Sequence, residues 1–149
     1  DLVVNGKKIC GMLTEMSAQF DYINNIVIGI GINVHNESFP EEIAKTASSL
    51  LLECGHRFHR ADIIEAFLEE FEAAYEVYLK TEDMEGLQQD YNELLVNMNR
   101  QVRVLDPKEP FEGKAMGITK KGELIVDTWE SRKLVSSGEV SVRGIYGYV

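Results

Sequence analysis

This sequence has little cysteine, little positive charge and no long apolar run, and each shortage removes a class of protein. Its two cysteines, Cys10 and Cys54, are too few for a disulfide framework and are not spaced as a zinc site. Both read as reduced, apolar residues. Only 15 Lys and Arg stand against 25 Asp and Glu, a net charge of −10, which argues against nucleic acid or an anionic membrane as a general partner. An anionic ligand would need a local basic site. No stretch approaches the roughly 20 apolar residues of a membrane span, and no cationic and then apolar signal segment opens the chain. A soluble, cytoplasmic protein is therefore expected. A Walker loop, a nucleophile elbow, a nucleic-acid patch and an internal repeat are also missing.

What is present fits one ordinary domain, or one domain plus a small appendage, with 149 residues of which 44% are hydrophobic. Asp1 enters a strand pattern at once, so the chain reads as a fragment of a longer one. Leu2-Val3-Val4, then Asn5-Gly6, then Lys7 to Glu15 predicts a hairpin, because Asn-Gly supplies the two positive φ angles of a type I′ turn. A polar turn around Asp21 and Asn24-Asn25 leads to the strand Ile26-Val27-Ile28-Gly29-Ile30-Gly31-Ile32-Asn33-Val34. Strand residues alternate between faces. Ile26, Ile28, Ile30, Ile32 and Val34 make a bulky face, expected to pack on helices; Val27, Gly29, Gly31 and Asn33 make a nearly bare one. A pair of glycines on one strand face suggests a bulge, or close approach by a ligand or another backbone.

Helices are expected next. Pro40-Glu41-Glu42 opens a pattern running to Cys54, with Gly55 as C-cap. Ile64, Phe67, Leu68, Phe71, Ala74, Tyr75, Tyr78 and Leu79 recur at helical spacing, so Ala61 to Lys80 reads as an amphipathic helix covering a core. A third, weaker helix spans Met84 to Asn97. From Arg100 the texture turns to short strands: Val102 to Leu105, Gly113 to Ile118, Glu123 to Asp127 and Val140 to Arg143, separated by turns at Asp106-Pro107, Lys121-Gly122 and Ser137-Gly138. These predict an antiparallel mini-barrel or sandwich. The expected domains are thus 1–98 and 99–149, in an α+β fold of mostly antiparallel sheet packed on helices, followed by a small β-barrel.

Alternation aims one of Lys7 and Lys8 at each face of the hairpin. A lysine reaching over a bare Gly29 and Gly31 surface, with Asn33 at its rim, would suit a planar, anionic small molecule. Simple alternation puts Gly11 on the face opposite Lys8, and a bulge near Cys10 would reconcile them. His56 and His59 sit at i and i+3, but no further ligand at fitting spacing completes a metal site. His35 reads as a turn histidine, and Glu69, Glu70 and Glu72 as a solvated helix face.

Lys8-Ile9-Cys10-Gly11-Met12-Leu13-Thr14-Glu15, the Gly29-Ile30-Gly31-Ile32-Asn33 strand and a terminal β unit with Glu139 and Arg143 in an E-x-S-x-R ending resemble biotin protein ligase. The resemblance covers essentially the whole chain. It implies the C-terminal part of the catalytic domain, of class II aminoacyl-tRNA synthetase type, followed by an SH3-like domain. It also implies activation of biotin by ATP with Mg2+, giving biotinyl-5′-AMP, and transfer of biotin to a lysine of a carrier protein such as that of acetyl-CoA carboxylase. On this resemblance Lys8 is the catalytic cation. Lys8, Gly11, Gly29, Ile30, Gly31, Asn33 and Arg143 would line the biotin and nucleotide site, with no protein metal site. Asp1 would end the family's Trp-Pro-Asn-Asp motif. The family's Gly-Arg-rich loop and Ser-Thr segment would lie upstream of Asp1, so the fragment is expected to be inactive alone, its open sheet edge exposed or covered by another copy. The other readings are a lipoate ligase-type enzyme and a non-catalytic interaction module.

Overall fold

A computed structural model describes residues 1–20, 22–136 and 141–144. Two compact units divide the chain, Asp1–Asp62 and Ile63–Val149.

The first unit is built on the predicted hairpin. Strand β1 (Leu2–Val4) turns through Asn5 (φ 50°) and Gly6 (φ 75°) into β2 (Lys7–Gln19), which pairs antiparallel with β3 (Tyr22–Ile32). Val3 lies opposite Lys8, but Leu2 lies opposite Cys10. Ile9 is therefore the extra residue of a β-bulge, which explains why the neighbours Ile9 and Cys10 are both buried when simple alternation would expose one.

The helix expected from Pro40 to Cys54 shrinks to α1 (Leu50–Cys54). Strand pairing takes the residues before it: Lys8 N–H donates to Thr46 O and Ser48 N–H to Lys8 O, both at 2.8 Å. Ser49, itself still extended, caps α1, its Oγ accepting from Leu52 N–H. Gly55 closes α1 at φ 75° as expected. The core here is small: Ile9, Cys10, Val34, Ser48 and Ser49.

The isoleucine face does not pack on helices as expected. Ile26 is 53% and Ile28 49% exposed, because β2 and β3 run on together as a two-stranded ribbon past the core of this unit. Cys54, read as apolar, is exposed, whereas Cys10 is buried.

Helix α2 (Arg60–Thr81) forms almost where predicted. Its aromatic stripe stacks in sequence, Phe67 on Phe71, Phe71 on Tyr75 and Tyr75 on Tyr78, with centroids 5.7, 5.8 and 6.4 Å apart. The rings pack on one another rather than into a core: Phe71 remains 44% and Tyr75 49% exposed. Helix α3 (Gln88–Leu94) is shorter than Met84 to Asn97. Met84 N–H is spent on Lys120 O, and at the other end Asn99 N–H donates to Ala115 O, which draws the chain into the sheet.

That sheet comprises β4 (Gln101–Leu105), β5 (Phe111–Ile118), β6 (Leu124–Asp127), β7 (Arg132–Val135) and β8 (Ser141–Gly144) in the order β7-β6-β5-β4-β8, all antiparallel. Among the described residues it is open, with β7 and β8 at its edges. Val102, Val104, Ala115, Val126 and Val135 form its core, with Phe111, Leu124 and Val142 against it. Strand β7 has no counterpart in the sequence reading, because Arg132 and Lys133 mask a short apolar pair. The expected Ser137-Gly138 turn, Val140 and Glu139 lie outside the described residues.

Helix α3 is tied to β5 through the backbone of one residue, Ile118. Asn92 Oδ1 accepts from Ile118 N–H at 2.9 Å, and Gln88 Nε2 donates to Ile118 O. Gly117 permits this: it sits at φ 107°, and a Cβ there would lie 2.7 Å from Asn92 Oδ1. Gly117→Ala is expected to destabilise the protein by about 1–3 kcal/mol. An unchanged thermal midpoint would contradict that account.

Candidate active site

The bulge at Ile9 decides the geometry of the site. It rotates the start of β2 so that the Lys8 side chain rises on the same face as Gly11: a Cβ on Gly11 would lie 3.2 Å from Lys8 Nζ and 3.3 Å from Cε. Gly11 pairs across the ladder with Gly31, and Leu13 with Gly29. Lys8, Gly11, Gly29 and Gly31 therefore share one face, with the ammonium over its bare part. The difficulty with Gly11 resolves as the sequence reading required.

The glycines of β3 are not demanded by the protein's own packing. A Cβ on Gly29 would come no nearer than 3.7 Å to Leu13 O, and one on Gly31 no nearer than 3.9 Å to Gly11 O. Both are ordinary contacts. The bare strip is open surface, with a cation at one end.

Lys8 Nζ forms an ion pair with Asp1 Oδ1 at 2.8 Å, each side chain 36% exposed. An ion pair this open to water contributes about 0–1 kcal/mol. An anionic ligand can therefore exchange with Asp1 at small cost.

Two predicted site residues lie differently from the glycine face. Ile30 pairs with Met12, so its side chain projects to the opposite face, and what it can offer the slot is backbone. Asn33 is committed to structure: its Nδ2 donates to Ser48 O at 3.0 Å, its N–H to Ile9 O, and its O accepts from Leu50 N–H. Arg143 belongs to the second unit, on β8 directly opposite Arg103, where the two line a cavity of about 190 Å3 with Leu105 and Gly144. Arg103 is also bonded to Glu112 at 2.5 Å. His35 Nε2 accepts from Phe58 N–H at 3.3 Å, a loop-anchoring role. Among the described residues no three His, Cys, Asp or Glu side chains gather as a metal set, and no helix is long and apolar enough to cross a membrane.

Sequence reasoning missed the cluster beside Lys8. Glu53 on α1 accepts from Ser48 Oγ and, at 2.6 Å, from Asn5 Nδ2. The Ser48 hydroxyl, then the Asn5 amide, then the charge of Lys7 hold its carboxyl below the ordinary glutamate range. The signal available was Ser48-Ser49 before a leucine run, an N-cap pattern that starts the helix later than Pro40 does. A depressed carboxyl stabilises the fold above its unfolded-state pKa and loses that contribution as pH falls through the folded one. Acidification below about pH 4 is expected to lower the thermal midpoint of the native protein more than that of Glu53→Gln. Identical acid profiles would remove Glu53 from the account.

The family profile of the biotin protein ligase C-terminal domain matches residues 98–143. The bifunctional ligase/repressor BirA of Bacillus spizizenii is 34% identical over 144 residues, 95% of this chain and 44% of BirA. The apo structure of biotin protein ligase from Aquifex aeolicus superposes with a TM-score of 0.82 at 26% identity, over 95% of this chain and 61% of that one. This chain matches the C-terminal part of a biotin protein ligase. The Aquifex ligase in complex with biotin and ATP aligns likewise, with a TM-score of 0.79, 27% identity and coverage of 95% and 58%. The α+β ligase fold, with an SH3-like C-terminal unit, is as the sequence implied. The chain spans less than half the length of the BirA ligase/repressors it matches.

Proposed function

We propose that this chain supplies one wall of a biotin protein ligase active site, with Lys8 as its catalytic cation. In the reaction a biotin carboxylate oxygen bonds to the α-phosphorus of MgATP and pyrophosphate leaves. The amine of a carrier-protein lysine then attacks the acyl carbon, and AMP departs with the electron pair of the broken anhydride bond. Lys8 acts in the first step, opposing the repulsion between carboxylate and α-phosphate and stabilising charge that builds on the transferring oxygens. The observation that carries this reading is the Lys8 ammonium standing over Gly11 at the end of an open glycine strip.

Gly11, Gly29 and Gly31 would let biotin and the adenylate lie against backbone, with Ile30 contributing main chain and Asn33 fixing the end of the slot through its bond to Ser48 O. Mg2+ would enter as part of the nucleotide substrate, with the Asp1 carboxylate beside the slot. Arg143 would meet the nucleotide end. The carrier domain would be that of an acetyl-CoA carboxylase subunit, in the cytoplasm. Residues from elsewhere in a full-length ligase, or a second copy, would cover the open edge of β3. The C-terminal family profile favours the biotin branch over a lipoate ligase.

Biotin-dependent ATP–pyrophosphate exchange tests the reading. A ligase of full family length carrying this segment is expected to catalyse it, and the 149-residue chain alone is expected to give none above background. Exchange by the short chain would mean that the site is complete within it.

A further inference from the structure

The position of Lys8 depends on the bulge at Ile9, a weak point in the ladder. Without the extra residue, alternation would send Lys8 to the face away from Gly11, since a one-residue slip reverses every side chain. Something must hold the bulged register.

The backbone of Lys8 is gripped on both sides by the Thr46–Ser48 segment, through Lys8 N–H to Thr46 O and Ser48 N–H to Lys8 O. Ser48 is 1% exposed, so its hydroxyl has no water to turn to, and it donates to Glu53. The other Glu53 oxygen takes Asn5 Nδ2, in the turn that sets where β2 begins. One carboxylate thus ties the turn before Lys8 to the segment beside it. Glu53 does this from the far side: with Lys7 and Ser48 it lines a cavity of about 440 Å3 on the face that Lys7 takes.

We infer that Glu53 is a positioning residue for Lys8, clamping the Asn5-Gly6 turn to Ser48 so that the bulged register persists and the ammonium stays over Gly11. The inference rests on the catalytic reading of Lys8. A register clamp acts on the fraction of molecules with the cation in place, so its loss reduces turnover more than biotin affinity.

The test uses a ligase of full family length carrying Glu53→Ala, Glu53→Gln or Lys8→Ala. Glu53→Ala is expected to lower kcat of biotin-dependent exchange about tenfold or more, with KM for biotin within about twofold. Hydrogen exchange should quicken at the Lys8 and Ser48 amides and stay unchanged in β4 and β5. Glu53→Gln, which keeps an acceptor for Ser48, should recover most of the loss. Wild-type kcat in Glu53→Ala, beside an inactive Lys8→Ala, overturns the inference and leaves the catalytic reading standing. Wild-type kcat in both overturns both. A fall in Glu53→Ala without faster exchange at Lys8 also overturns it. If Glu53→Ala does not fold, Asn5→Ala at the exposed turn removes one arm of the clamp. A kcat fall of about threefold is then expected, and wild-type kcat refutes the clamp.

Discussion

In a ligase of full family length, Lys8→Ala is expected to lower biotin-dependent ATP–pyrophosphate exchange about 10²–10³-fold. Two anions, a carboxylate and a triphosphate, must meet, and Lys8 is the cation that the described slot brings to that meeting. The substitution should leave the protein folded. What the fold loses is one half-exposed ion pair with Asp1, about 0–1 kcal/mol, or at most a few degrees of thermal midpoint. The groups that hold the Lys8 backbone, Thr46 O and Ser48 N–H, do not depend on its side chain. Lys8→Arg should restore little, because a planar fork cannot stand where a point charge rises over Gly11. Wild-type exchange in Lys8→Ala would end the catalytic assignment.

The second large effect is expected at Gly31. Valine there should cut exchange and biotin binding about 100-fold or more, the scale of a misplacement of the reacting groups by an ångström. The fold should be unharmed. Glycine inside a strand costs about 0.5–1 kcal/mol relative to alanine, and the nearest atom to a Cβ at Gly31 is Gly11 O at 3.9 Å. A β-branched residue also suits a strand. A thermal midpoint equal to or above the native one, with activity lost, would identify the strip as ligand floor. Retained binding in a folded Gly31→Val would leave the bare face without a function.

The two substitutions probe features that were legible to different degrees. Gly29 and Gly31 could be read directly, because strand alternation is strict and β3 contains no irregularity near them. The Asn5-Gly6 turn was legible for the same local reason: two positive φ angles in succession suit few other pairs. Lys8 was harder. Its face depends on a bulge whose existence is settled by the opposite strand and by the Thr46–Ser48 segment, some 40 residues along the chain.

Non-local pairing also explains the helix misread at Pro40. Proline followed by two acids is a sound helix start locally, yet Thr46 and Ser48 have backbone partners on β2 that a helix would deny them. Strand β7 was missed because four residues with two cations carry too little apolar pattern. The stripe on α2 was read correctly as a helix face and wrongly as a covered one, since periodicity reports which side is apolar and not what lies against it.

The sequence by itself determined the local conformations: the turn at Asn5-Gly6, the length of α2, the bare glycine face of β3 and the αL cap at Gly55. Each rests on the intrinsic torsional preferences or periodicity of neighbouring residues. Only the tertiary structure decided which lysine faces the glycines, that Asn33 is bonded to Ser48 and to the start of α1, and that Glu53 reaches both Ser48 and Asn5. Those outcomes depend on hydrogen bonds between segments far apart in the chain, and no local pattern carries that information.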